Sequence, residues 1–182
     1  MYKLVALAPI LLLTAACTAP EPPAHWPEGG ATLAMPAASW RGTRQSVDIL
    51  PDGAVVVDGK RQFTIDARGR VFEKDKPYAL LEPTGEIVGM GDAPLGRVQT
   101  GVAIGADGLP FLTIDPSGAV LRFENGKQKT QQLGQWTGCS TPEIMKTCTL
   151  VTYVVTVDTE ERLDRAERAE YRHQRPESSP RR

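Results

Sequence analysis

The chain has 182 residues, 41% of them hydrophobic, with 21 basic and 22 acidic side chains and a formal net charge of −1. That length suits one domain with extensions, and a core of about 120 residues suffices to bury a stable interior. The balance of charge lacks the basic footprint of a nucleic-acid binder, and no apolar run reaches the roughly 18 residues that span a bilayer.

The N-terminus carries the strongest signal. Met1, Tyr2 and Lys3 give a short positive start, and LVALAPILLL (4–13) is an apolar run of secretory length. TAAC (14–17) follows. Small residues before a cysteine at this point resemble the lipobox of bacterial lipoproteins. The resemblance implies a signal peptide over 1–16, cleavage before Cys17, and a diacylglyceryl group on the Cys17 thiol. It covers about 20 residues, departs from the commonest pattern at Thr14, and is silent on the domain behind it. Two or three acyl chains at ~0.8 kcal/mol per buried methylene hold a protein on a membrane almost permanently. Thr18 stands where inner-membrane lipoproteins of the enteric type carry Asp, so the resemblance implies an outer-membrane address in the bacterial envelope.

Residues 17–39, TAPEPPAHWPEGGATLAMPAA and its flanks, are rich in Pro, Ala and Gly. They read as an extended lipidated tether, with His25 and Trp26 as an isolated polar-aromatic pair. From Trp40 the texture changes to short β-branched runs broken by Gly turns. ILPDGAVVVDGK, FTIDARGRVFEKD, LLEPTGEIVG and FLTIDPSGAVLRFENG share one frame, and IGADGLPF (104–111) is a looser fifth copy. Gly53, Gly69 and Gly85 fall sixteen apart. Pro51, Pro83 and Pro116 preset the second position of type I turns, and the Gly that follows supplies positive φ and a bulge into the next strand. Asp58-Gly59 and Asn125-Gly126 have the composition of two-residue type I′ turns.

These signals predict a mainly β domain over 40–157: an antiparallel meander of about ten short strands, a barrel or a sandwich. A propeller needs roughly sixteen strands or more. Alternation sets Val47 and Ile49 against Asp48, Phe63 and Ile65 against Thr64, and Leu121 and Phe123 against Arg122. CTLVTYVVTV (148–157), the longest apolar run of the domain, reads as the closing strand. Cys139 and Cys148, close in sequence and exported with the chain, read as a structural disulfide; a metal site or a CxxC redox pair would need other neighbours. Residues 158–182 switch to helix formers with acid-before-base pairs at Asp158–Arg162, Glu161–Arg165 and Asp164–Arg168. They predict a charged helix ending in a disordered tail beyond Pro176.

Catalytic chemistry finds little to stand on. The two histidines, His25 and His173, fall in the tether and the tail, so a Ser-His-Asp or Cys-His arrangement has no base within the domain. Zinc and copper lose their commonest ligand for the same reason, and no cofactor or metal is expected. GMGDAPLG (89–96) lacks the Gly-Lys-Ser/Thr ending of a phosphate cradle and reads as an interstrand loop. The expected function is therefore non-enzymatic: an adaptor or structural module, membrane-bound through its lipid, with an envelope protein as partner. The alternatives are a small-ligand carrier using a barrel mouth and an envelope carbohydrate hydrolase built on a carboxylate pair.

Overall fold

The computed structural model describes residues 20–124 and 127–174, without the side chains of 128–131 and 171–174. Cys17, the Asn125-Gly126 turn and the tail beyond Gln174 lie outside the described residues. Twelve strands follow in chain order: β1 Ala38–Gly42, β2 Ser46–Ile49, β3 Ala54–Val57, β4 Lys60–Ile65, β5 Arg70–Glu73 and β6 Lys76–Leu81, then β7 Glu86–Gly89, β8 Pro94–Gln99, β9 Val102–Gly105, β10 Pro110–Ile114, β11 Ala119–Glu124 and β12 Lys127–Thr137. One helix, α1, spans Pro142–Gln174. Each strand pairs antiparallel with its sequence neighbour, and β1 pairs with β12 through Trp40 opposite Trp136, closing a meander barrel. Strands β2 to β11 are four to six residues long, whereas a bilayer-spanning strand needs about 9–11.

The recurring turns hold one end of this barrel. In each, the Gly N–H donates to the carbonyl three residues back: Gly53 to Leu50, Gly69 to Asp66, Gly85 to Glu82 and Gly118 to Asp115. The Gly carbonyl then accepts from the following hairpin, from Ile65, Leu81, Val98 and Trp136 respectively, so each corner is tied to the next. Gly101, whose carbonyl accepts from Ile114 N–H, is the true next member of the series. The Gly108 turn, read from sequence as a fifth copy, sits in the β9–β10 connection at the other end. Asp58 and Gly59 both have positive φ, as a type I′ turn requires, and Lys74-Asp75 adopts the same signs without a glycine.

The largest departure concerns CTLVTYVVTV. These residues are not the closing strand; they form the middle of α1, which begins at Pro142 rather than Asp158. Residues 147–155 are buried on every face of the helix, which is possible only inside a closed wall. Bonds leave the helix toward all sides of the ring: Thr152 accepts from Trp136 Nε1 on β12, Tyr153 donates to Leu95 O on β8, and Asp158 accepts from Gln62 on β4. The helix therefore fills the lumen. Its β-branched content follows from that place. Thr149, Thr152, Thr156 and Thr159 each donate a side-chain bond to the carbonyl four residues back, and Thr147 donates to Ala34 O. A buried hydroxyl is thus satisfied without water.

Inward-facing wall residues include Val47, Ile49, Phe63 and Ile65, as alternation predicts, together with Val71, Ala79, Leu81 and Leu112. On β11 the phase is opposite to the sequence reading. Val120 is buried, and Arg122 turns inward to the helix, leaving Leu121 and Phe123 half-buried on the outer side. The presumed tether is also ordered against the barrel. Trp26 meets Phe72 edge-on at 5.0 Å, Gly30 and Leu33 N–H groups bond Arg68 and Ala67 carbonyls, Ala31 N–H bonds Leu81 O, and Ala31 and Leu33 are buried.

Cys139 and Cys148 form a disulfide nine residues apart, tying the approach to α1 to its second turn. On the chain-entropy model so short a loop stabilises by roughly 2–3 kcal/mol. Reduction, or a double Cys→Ala variant, should lower the melting temperature by about 5–10 °C. Non-reducing peptide mapping checks the bond, and two free thiols in the native protein would contradict it.

Candidate functional site

The helix enters the barrel at the end carrying the glycine corners and leaves at the opposite end, between the β1–β2, β3–β4 and β5–β6 connections. At this exit charged side chains, polar groups and free space come together around the helix. Asp158, buried, accepts from Gln62 and pairs with Arg162 Nε at 2.7 Å; Arg162 also reaches Glu73 at 3.4 Å. On the other flank Arg122 meets Glu160 at 2.8 Å and stacks over the Phe111 ring at 3.4 Å. Thr159 Oγ1 lies 3.3 Å from the Gln45 side-chain amide. The collar clasps α1 on several sides where it turns from lumen to solvent. Two of the three acid-before-base pairs read from sequence form, Asp158–Arg162 and Glu161–Arg165.

Beside the collar lies a mouth pocket of about 240 Å³, lined among others by Trp40, Leu133, Leu163, Arg44, Arg122 and Glu160. Trp40 Nε1 is buried with no hydrogen-bond partner among the described residues. Its indole passes close to the Cα positions of Gly42 and Gly134 near this mouth. Arg122 is drawn below its ordinary pKa by burial, and Glu160 opposes that shift. The pocket could hold a small molecule with an apolar body and an acceptor group.

No reactive constellation accompanies it. Burial pushes the Tyr153 phenol up to about 12, so it stays protonated and spends its proton on Leu95 O. Asp115, in the Asp-Pro-Ser-Gly corner, is partly exposed and accepts from Ser117 N–H, Ser117 Oγ and Ala119 N–H. Those bonds, that from the Ser117 side chain first, hold its carboxyl below the usual range. It is a turn residue. His25 is exposed beside the β-wall and its carbonyl accepts from Gly29 N–H; His173 lies in the last turn of α1 with its side chain outside the described residues. Among the described residues, no three His, Cys, Asp or Glu groups converge as metal ligands.

The site residues predicted from sequence thus separate. Cys139 and Cys148 lie at the helix entrance, and Cys17 lies outside the described residues. The exit collar was missed, although the Asp158–Arg162 spacing was its available signal. Compared with family models, curated proteins and solved structures, the chain finds no match.

Proposed function

We propose that this chain is a lipid-anchored protein of the bacterial envelope whose barrel is a non-enzymatic scaffold presenting α1 to another envelope protein. The observation that supports it best is the division of the helix at its collar. Up to Asp158 it is locked in the lumen; from Glu160 to Glu170 every residue is exposed. The emergent part, Leu163–Gln174, reaches about 18 Å beyond the collar at 1.5 Å per residue. A charged helix that short is marginal alone in water, and the lumen segment supplies its nucleus. Rigid presentation lowers the ordering cost of binding.

A photoreactive residue at Ala166 should crosslink in native membranes to one discrete partner, while the same residue at Thr113 on the barrel wall should not. Truncation of the native sequence after Arg162 should abolish co-purification of that partner without unfolding the barrel. Equal labelling from both positions, or none from Ala166, would sink the adaptor reading.

A second reading, small-ligand carriage, draws support from the mouth pocket and the unpartnered Trp40 indole alone. The lumen that other barrels offer a ligand is taken up here by α1. Native mass spectrometry of protein purified from its own envelope should find the chain without bound small molecules if the scaffold reading holds. A stoichiometric adduct lost in Leu133→Trp would favour carriage.

A further inference from the structure

The docked N-terminal segment fixes where an anchor must attach. Glu21 O accepts from Gly91 N–H at 2.7 Å, and Ala24 N–H donates to Asp92 at 2.8 Å. Gly91 and Asp92 belong to the β7–β8 connection, at the same end of the barrel from which α1 emerges. From there the segment climbs the outer wall, Trp26 on Phe72 of β5, to the glycine corners at Arg68 and Ala67.

Four peptide steps separate Cys17 from Glu21. Fully extended they reach at most about 14 Å. The emergent helix extends about 18 Å from that same end. A barrel standing on this end would therefore drive α1 into the hydrocarbon. The helix carries Glu160, Glu161, Arg162, Asp164, Arg165, Glu167 and Arg168, and each charge at bilayer depth costs about 2.5–3.5 kcal/mol even on the lenient scale. The helix cannot point into the membrane, and the linker is too short to hold the barrel clear of it. One arrangement satisfies both limits.

From these lengths, and resting on the lipid anchor proposed above, we infer that the barrel lies on its side on the bilayer, with the β5–β8 wall and the docked Trp26 segment against the lipid headgroups. The surface fits that partner. Trp26 is half-buried on the outer wall, the Arg70 guanidinium lies 6.0 Å from its ring centroid, and Arg68, Lys74 and Lys76 are exposed nearby. An indole flanked by cations suits the interface between headgroup and acyl chain, and basic side chains attract anionic lipid. Of the acids on this wall and on the docked segment, Asp66 is paired with Arg70, Glu73 with Arg162 and Glu86 with Arg97, whereas Glu21, Glu28, Asp75 and Asp92 are exposed, so the face meets the bilayer through Trp26 and its cationic neighbours and not through a net positive charge. The emergent helix then runs beside the bilayer, where a partner embedded in the same membrane can meet it.

Tryptophan quenching tests this directly. Trp40 and Trp136 are buried against the lumen, so Trp26 is the natural reporter of the outer wall. The full chain, purified from membranes, is reconstituted in phosphatidylcholine–phosphatidylglycerol vesicles, with and without bromine on the acyl chains near the headgroup. Bromine should remove roughly half of the Trp26 emission, as for an interfacial indole, and leave that of Trp26→Phe unchanged. Gln135, exposed on β12, lies across the ring from β6; a tryptophan there, in the Trp26→Phe background, should not be quenched. Quenching at position 135, or none at Trp26 in protein whose intact mass carries the lipid, overturns the orientation and leaves the anchor standing. An unlipidated mass overturns the anchor and the orientation together.

Discussion

Aspartate in place of Val151 should leave no folded barrel. Val151 is 1% exposed at the middle of the lumen segment, and the residues around it are Leu150, Thr152, Val154 and Val155, all buried. An unpaired carboxylate there loses its hydration and gains no partner, a cost of several kcal/mol at the least. Set against a total stability of about 5–15 kcal/mol for a domain, that is enough to abolish folding. Ala166→Asp on the same helix, past the collar, should change stability by less than about 0.5 kcal/mol. The pair separates the two descriptions of this stretch. In an outer strand, every second position of 148–157 would face solvent and accept the charge; in the lumen, none does. Soluble yield and circular-dichroism melts of the two variants are the measurement. A folded Val151→Asp protein would contradict the threaded helix.

Gly118→Val should be the next most damaging change. Gly118 has φ +87°, and a Cβ built there falls 2.3 Å from Trp136 O. A β-branched residue thus incurs about 1–2 kcal/mol of backbone strain and a clash of roughly 1–3 kcal/mol with a backbone that can move little. The corner also carries the bond from Trp136 N–H to Gly118 O at 2.8 Å, so any shift propagates into β12 at its closing pair with β1. Gly69→Val should act in the same direction, since its Cβ would lie 2.9 Å from the carbonyls of both Ala31 and Leu81. Asp115→Ala removes three side-chain acceptor contacts, two of them at the exposed surface and one part-buried. Its loss should be the smaller. Thermal unfolding ranks the three variants; equal or greater stability in Gly118→Val would refute the account of the corners.

The corners were the legible part of this fold. Turn geometry is local: Pro51, Gly53, Asp66, Gly69 and Gly118 act within four residues of themselves, so their spacing revealed the meander and its antiparallel order. Barrel and sandwich remained open because closure depends on Trp40 meeting Trp136, ninety-six positions away, which no local pattern encodes. The lumen helix was illegible for a different reason. Its threonines and valines favour strands by intrinsic preference, and only a closed apolar wall, with hydroxyls bonded back to carbonyls, makes a helix the better answer. Tertiary burial overrode propensity there. Arg122 misled in the same way, since an arginine within a strand reads as solvent-facing until Glu160 is placed beside it. The N-terminal segment read as a tether from its Pro and Ala content; its docking rests on Gly30, Ala31 and Leu33, whose small or apolar side chains let the backbone lie against the corners.

The function proposed for this chain rests on a helix held in the lumen as far as Asp158, clasped by the collar to Arg162 and exposed beyond it. The nuclear Overhauser contacts of the Trp136 indole N–H, in isotope-labelled protein, test that claim most directly. Trp136 Nε1 lies 2.8 Å from Thr152 Oγ1, so the spectrum should contain strong contacts to the Thr152 side chain, with sequential amide contacts of helical pattern from Thr147 through Asp158. Extended-strand contacts across 148–157, and an indole proton with no neighbour in that stretch, would contradict it.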